Sequence, residues 1–207
     1  RHTFDVIIVD APCSGEGMFR KDEEALAQWS LDNVNLCVER QKEILASVWP
    51  ALKPGGVLIY STCTYNTEEN EDMAQYLKDE FSAEAISQIP TAPEWGVTRE
   101  LKGYTPFYRF MPHKTKGEGF TVTVMQKPEG DYMPQKAGKA KLKTIPLPNN
   151  LKPFLKDASK YEYTIIKEKL VALSSEGKEM LQLMEKFNIL HAGIEVAVTD
   201  KGKDYIP

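Results

Sequence analysis

Two of the three cysteines stand where a nucleophile would be useful. Asp10-Ala11-Pro12-Cys13-Ser14-Gly15-Glu16-Gly17 follows the apolar run Val6-Ile7-Ile8-Val9, and Ser61-Thr62-Cys63-Thr64-Tyr65 follows Val57-Leu58-Ile59-Tyr60. Each run reads as a buried parallel strand, so each cysteine sits at a strand's carboxyl end. That edge of an open α/β sheet is where ligands bind. Two thiols side by side there suit covalent attack on an electrophilic carbon, with the thiolate as the attacking group. Cys37 lies in a helical stretch without a polar companion and reads as an inert buried thiol. No CxxC pair and no zinc-finger spacing of cysteine and histidine occurs, which argues against a disulfide framework and a bound metal.

The elements around these cysteines alternate. Asn33–Leu52 reads as a helix, with Leu36, Val38, Ile44, Leu45, Val48 and Leu52 near helical spacing and Asp32 or Asn33 as N-cap. Lys53-Pro54-Gly55-Gly56 ends it before the second strand. A further helix is expected over Thr67–Glu80, its acidic start suited to the helix dipole. Strand, helix, strand, helix predicts a parallel sheet with right-handed crossovers. A weaker strand near Ala83–Ile89 follows, then an alternating one over Gly119–Met125 that suits an antiparallel sheet edge.

Residues 128–150 read as a Pro- and Gly-containing basic linker with Lys136, Lys139, Lys141 and Lys143, and residues 151–207 as a separate α+β unit. In that unit Gly193–Thr199 reads as the first arm of a hairpin. The overall charge of −4 hides an asymmetry: residues 101–160 carry 12 basic and 4 acidic side chains, a local +8. Such a segment favours a polyanion, or is a solvated loop. No apolar run approaches the roughly 20 residues of a membrane span and the first residues lack a signal pattern, so the expected location is the cytoplasm. Both ends read as truncated, with an N-terminal part of the same chain missing. Its loss would expose a sheet edge and favour self-association.

The first cysteine block, extended through Met18-Phe19-Arg20-Lys21, together with Ser61-Thr62-Cys63-Thr64-Tyr65-Asn66 and Pro112-His113-Lys114-Thr115-Lys116-Gly117-Glu118-Gly119-Phe120, resembles three motifs of the RNA (cytosine-5) methyltransferases. The resemblance runs over residues 4–127 and is nearest the RsmF type, which acts on small-subunit ribosomal RNA. The tail is more weakly similar to the start of the RNA-binding region of such enzymes. The implied fold is the C-terminal part of a Rossmann-like S-adenosylmethionine-dependent methyltransferase sheet over residues 1–127, followed by a partial α+β RNA-binding unit.

The resemblance gives the residues roles. Carbon 5 of cytosine is a poor nucleophile, so a thiolate must first add at carbon 6. Cys63 is the candidate, and Cys13 would assist breakdown of the adduct. DNA cytosine methyltransferases use the proline-cysteine thiol as nucleophile, which leaves the exchange of these two roles open. Asp10 would lie between methyl donor and base, touching both. Pro12 would fix the turn that aims Cys13, and with Arg20, Lys21 and His113 would face the RNA; for the basic pair and the histidine, a solvated or structural role is the alternative. Tyr104, Phe107, Tyr108 and Phe110 are either base-stacking groups or core.

A methyltransferase sheet also needs a glycine-rich turn and a ribose-binding acid before these strands, and neither precedes Asp10. The 207 residues alone are therefore expected to bind S-adenosylmethionine poorly. A noncatalytic RNA-binding module is the alternative function, and a thiol-dependent redox protein a third.

Overall fold

The computed structural model describes residues 2–86, 89–132, 142–184, 187–200 and 204–206. The chain divides into two units, Arg1–Pro134 and Gln135–Pro207. The division falls inside the segment read as a linker, and Lys136, Lys139 and Lys141 of its basic run lie outside the described residues.

The first unit contains β1 (Phe4–Asp10), α1 (Glu23–Gln28), α2 (Leu31–Val48), β2 (Leu52–Thr62), α3 (Glu71–Phe81), β3 (Glu84–Ala85), β4 (Tyr108–Phe110) and β5 (Phe120–Gln126). Its strand order is β1-β2-β5-β3, with β4 also paired to β5. β1 and β2 run parallel, and their register places Val9 beside Tyr60 and Asp10 beside Ser61. β5 runs antiparallel to β2, pairing Thr121 with Thr62. The two cysteine loops and the loop entering β5 therefore meet at one end of the sheet.

The core lies between this sheet and α2 and α3. Leu58 and Tyr60 alternate toward it from β2, Val9 from β1 and Met125 from β5, against Leu45, Trp49, Met73, Ala74 and Leu77. Alternation along strands and three- to four-residue spacing along helices bring these side chains together.

Several local expectations change. The residues flanking α2 shift its start: Ser30 is the N-cap, its hydroxyl accepting from the Asn33 amide, rather than Asp32 or Asn33. Leu36 points to solvent at 70% exposure, because the buried stripe runs through Val34, Gln41 and Leu45. Lys53 to Gly56 do not stop the helix; they already belong to β2, and a short 3-10 turn at Trp49–Ala51 makes the break. α3 starts at Glu71, later than Thr67. The weak strand shrinks to Glu84–Ala85 among the described residues. β5 is interior rather than an edge, since β3 and β4 cover its far side. β1 is buried on one face only: Ile7 and Val9 pack inward, while Val6 and Ile8 are exposed, as an end strand permits.

The second unit is α+β. β6 (Glu162–Ile166), β7 (Lys169–Leu173), β8 (Ile194–Asp200) and β9 (Asp204–Ile206) form an antiparallel sheet in that order, with α4 (Ser175–Leu183) between β7 and β8. β8 and β9 are the two arms of the expected hairpin. Ile145 and Leu147 pack against this unit's core beside Leu151, Tyr163 and Leu170, so its packing begins before residue 151.

Leu58 is fully buried in the first core. Leu58→Ala is expected to lower stability by about 2–5 kcal/mol, measured as a shift of the urea midpoint with unchanged slope.

Candidate active site

The two sequence-predicted thiols meet. The sulfur atoms of Cys13 and Cys63 lie 2.9 Å apart, both free and half-buried, and the Cys63 amide donates to Cys13 Sγ at 3.2 Å. The register of β1 and β2 delivers the two chains level with each other; Ala11 N still bonds Ser61 O beyond the last pair. The S–H of Cys13 toward Cys63 holds the Cys63 thiol below its ordinary value, and the same bond, with burial, pushes Cys13 up. Either sulfur can donate in this contact, and the two directions make Cys63 the readier of the pair to lose its proton.

Beyond the strands, buried polar groups fix the loops. The Glu69 carboxylate is fully buried and accepts from Ser14 N at 3.0 Å, Gln41 Nε2 at 2.9 Å and Asn66 Nδ2 at 2.8 Å. Gln41 also donates to Pro12 O at 2.9 Å. Asn70 joins Thr62, Thr64 and Asn66: its Oδ1 accepts from Thr62 Oγ1, and its Nδ2 donates to the carbonyls of Thr64 and Asn66. Glu71 forms a bidentate pair with Arg109, itself fully buried, and Arg109 Nε donates to Tyr65 O at 3.2 Å. Consecutive residues Glu69, Asn70 and Glu71 each fasten a different piece of the site. In the other direction, Glu16 reaches across to accept from the amides of Tyr65 at 2.7 Å and Asn66 at 2.9 Å.

Two glycines are needed for close approach. Gly17 N donates to Cys63 O at 2.8 Å, and a Cβ at Gly17 would lie 2.6 Å from Gly119 O. A Cβ on Gly119 would overlap the Tyr65 hydroxyl and Gly17 Cα. The loop entering β5 is thereby pressed onto both cysteine loops.

The other expected site residues lie around this centre. Asp10 is exposed at the end of β1, its Oδ1 accepting from Ser61 Oγ at 3.0 Å. Pro12 is exposed, its carbonyl tied to Gln41. Arg20 donates to Pro112 O at 3.2 Å, and Lys21 pairs with Glu118 at 2.5 Å. With Gly17 and Gly117 these four residues line a cleft of about 210 Å³. His113 is exposed on the same loop. Phe107 and Tyr108 are buried, which removes them as base-stacking groups; the Phe110 ring lies tilted at 42° against Phe120, and Tyr104 is exposed. Cys37 is half-buried on α2, and burial raises its thiol. Among the described residues no cluster of potential metal ligands occurs, and no helix is long and apolar enough to cross a membrane.

Sequence reasoning missed Glu69, Gln41, Asn66, Asn70 and the Arg109–Glu71 pair. One signal was present: Gln41 falls on the stripe Val34, Gln41, Leu45, and a polar residue on the buried face of a helix must have a partner inside.

A parallel β1–β2 pair, an antiparallel neighbour and paired thiols at the carboxyl edge define part of a Rossmann-like methyltransferase sheet. The family described as 16S rRNA methyltransferase RsmB/F matches residues 1–126, and the chain belongs to that family. It is 41% identical over 154 residues to ribosomal RNA small subunit methyltransferase F of Aeromonas hydrophila, covering 70% of this chain and 31% of that one. To the protein of the same name from Shewanella sp. strain ANA-3 it is 42% identical over 129 residues, covering 60% and 26%. Among solved structures it is similar to NSun6 from Pyrococcus horikoshii with SFG, at TM-score 0.50 and 26% identity, covering 60% of this chain and 30% of that one. The chain thus spans between a quarter and a third of the length of these relatives.

Two outcomes follow from the site. Cys13→Ala removes the S–H that stabilises the Cys63 thiolate, so the pH midpoint for alkylation of Cys63 by iodoacetamide, followed by peptide mass spectrometry, is expected to rise toward the ordinary thiol range. An unchanged midpoint would mean the second thiol contributes nothing. Arg109→Leu leaves the Glu71 carboxylate buried without its cation and is expected to lower stability by about 3–5 kcal/mol in chemical denaturation.

Proposed function

We propose that this chain carries the thiol half of an enzyme that methylates carbon 5 of a cytosine in small-subunit ribosomal RNA. The observation that supports this reading best is the pair of free thiols 2.9 Å apart at the carboxyl edge of the sheet, with Cys63 the readier of the two to lose its proton. Family membership points the same way.

In this reading the cytosine leaves its stack to reach the thiols, since carbon 6 is inaccessible within a helix. Cys63 Sγ adds to carbon 6, and the pair of the 5,6 double bond moves to carbon 5, which becomes nucleophilic. S-adenosylmethionine, when bound, supplies the electrophilic methyl group for carbon 5; the SFG held by the archaeal relative is an analogue of it. A base then takes the carbon 5 proton, the double bond re-forms, and the bond from carbon 6 to Cys63 breaks with its electron pair returning to sulfur. The S–H of Cys13 stabilises the departing thiolate through the bond it already makes to Cys63. Asp10, exposed beside the thiols, holds the base and meets the methyl donor.

The residues at hand fit the methyl donor only in part. The Asp10 carboxylate is a suitable group, but a glycine-rich turn and a ribose-binding acid would have to come from strands laid along the free edge of β1. Pairing there, or self-association over the exposed Val6 and Ile8, belongs to the same proposal. So do cytoplasmic location and the assignment of Arg20, Lys21, His113 and the second unit to RNA.

The test uses 5-fluorocytosine, whose fluorine cannot leave as a proton does and so blocks release. Ribosomal RNA carrying it, S-adenosylmethionine and a protein in which this chain is joined to the cofactor-binding strands are expected to give a covalent adduct that maps to Cys63 by mass spectrometry and is abolished in Cys63→Ala. An adduct at Cys13 would exchange the two roles, and no adduct at either sulfur would refute the reading.

A further inference from the structure

We propose that Glu69 is a positioning residue for the thiol pair, setting the separation of Cys13 and Cys63 by holding both cysteine loops to one buried carboxylate. The inference deepens the reading above and rests on its two-thiol chemistry.

The argument starts from what surrounds the side chain. Glu69 is wholly shielded from solvent, yet its hydrogen-bond partners are neutral: Ser14 N, Gln41 Nε2 and Asn66 Nδ2. A carboxylate in such a place is held by directed N–H donors alone, and removing any of them leaves charge uncompensated. A helix start that needed only a negative charge would leave it at the surface, as Glu68 is left exposed one residue earlier. Burial therefore calls for another explanation, and the donors supply it. Ser14 is the residue next to Cys13; Asn66 belongs to the loop of Cys63; Gln41 links the same carboxylate to Pro12 O on the other side of Cys13. The residues flanking Cys13 are thus both tied, directly or through Gln41, to an anchor that also holds the Cys63 loop. Glu69 N closes the arrangement by donating to Asn66 Oδ1 at 2.8 Å.

The chemistry sets a tight tolerance on this distance. The proton donated by Cys13 stabilises the Cys63 thiolate only within hydrogen-bond reach, and a displacement of about 1 Å at a reacting centre is enough to reduce rate about a hundredfold. Other links join the loops, including Ser14 Oγ with Thr64 Oγ1 at 3.0 Å and Glu16 with the Tyr65 and Asn66 amides. Glu69 differs from them in joining the residue next to Cys13, Gln41 and Asn66 at a single group.

Glu69→Gln is the informative change because it keeps the shape. Each Glu69 oxygen faces an NH₂ donor, Oε1 from Asn66 and Oε2 from Gln41, so either orientation of a glutamine sets its own NH₂ against a donor. The experiment needs neither RNA nor methyl donor. The chain is treated with dibromobimane, which becomes fluorescent on bridging two neighbouring thiols, and separately with iodoacetamide across pH, with each cysteine followed by peptide mass spectrometry. Cys37, on α2 outside the pair, reports general loosening when its alkylation is read well above its own midpoint, since the Glu69 charge itself helps raise that thiol.

Glu69→Gln is expected to lower the bridging rate at least about tenfold while Cys37 changes by less than about threefold. The alkylation midpoint of Cys63 is also expected to rise. The titratable groups that face Cys63 are Cys13 across the loops, Asp10 at the end of β1, Glu69 before α3, Tyr65 on its own loop and Cys37 on α2. Loss of the Glu69 charge alone would move the midpoint down, whereas loss of the Cys13 S–H moves it up, so the sign separates charge from position. Unchanged bridging, or a midpoint that falls, overturns the inference. If Glu69→Gln also frees Cys37, Gln41→Met decides, since it releases Pro12 O and one Glu69 contact: reduced bridging with a quiet Cys37 supports the inference, and unchanged bridging or a freed Cys37 overturns it. An absent RNA adduct in the protein joined to the cofactor-binding strands, alongside these shifts, would refute the methylation reading and leave the positioning role standing.

Discussion

The parallel pairing of β1 with β2 is the constraint from which the site follows. Its register sets Asp10 against Ser61, and from that pair the two chains run on together through Ala11 N to Ser61 O until each reaches its cysteine. Antiparallel neighbours could be joined by a short hairpin, but parallel ones need a crossover, here supplied by α1 and α2. Because the crossover returns over the sheet, α2 lies beneath the first loop and brings Gln41 to Pro12. Packing and polar anchoring therefore share a cause. The same helix that buries Leu45 in the core presents the amide that fixes the turn before Cys13.

Much of this was legible in the chain. Val6–Val9 and Val57–Tyr60 are β-branched or bulky runs ended by turn residues, and their reading as parallel strands with cysteines at one edge follows directly from period and punctuation. Helices α2 and α3 were legible as elements but not at their ends, because Ser30, Thr67 and Asn70 all have capping side chains and only Ser30 forms the cap bond. Asn70 instead spends its amide on the loop of Cys63. β5 escaped placement for another reason: alternation identifies a half-buried strand, but its neighbours are fixed by the short β3 and β4, which carry little pattern of their own.

The polar frame was the least legible part. Glu69, Asn70 and Glu71 read as an acidic helix start, a local preference that is satisfied by charge anywhere in the first turn. What fixes their true surroundings is nonlocal: Ser14, Gln41 and Arg109 lie 55, 28 and 38 residues away in sequence. Arg109 shows the limit most plainly. An arginine is almost never fully buried without a partner, and Arg109 is fully buried because Glu71 meets it with both carboxylate oxygens. A pairing between two distant elements decides its burial, and composition cannot report it.

This end of the sheet is built unlike the rest. Ser14, Gln41, Thr62, Thr64, Glu69, Asn70, Glu71, Arg109 and Thr121 are all buried there, where apolar residues would bury more favourably. A buried polar network specifies its geometry more sharply than an apolar contact does, since each donor and acceptor has a preferred distance and direction and a mismatch leaves a group unsatisfied. Loops of glycine, serine and threonine lack side chains large enough to lock by packing. Directional bonds are the remaining means of holding two sulfurs within reach of one proton. The hydrophobic core stabilises the first unit, and the polar frame converts part of that stability into a fixed distance between the thiols.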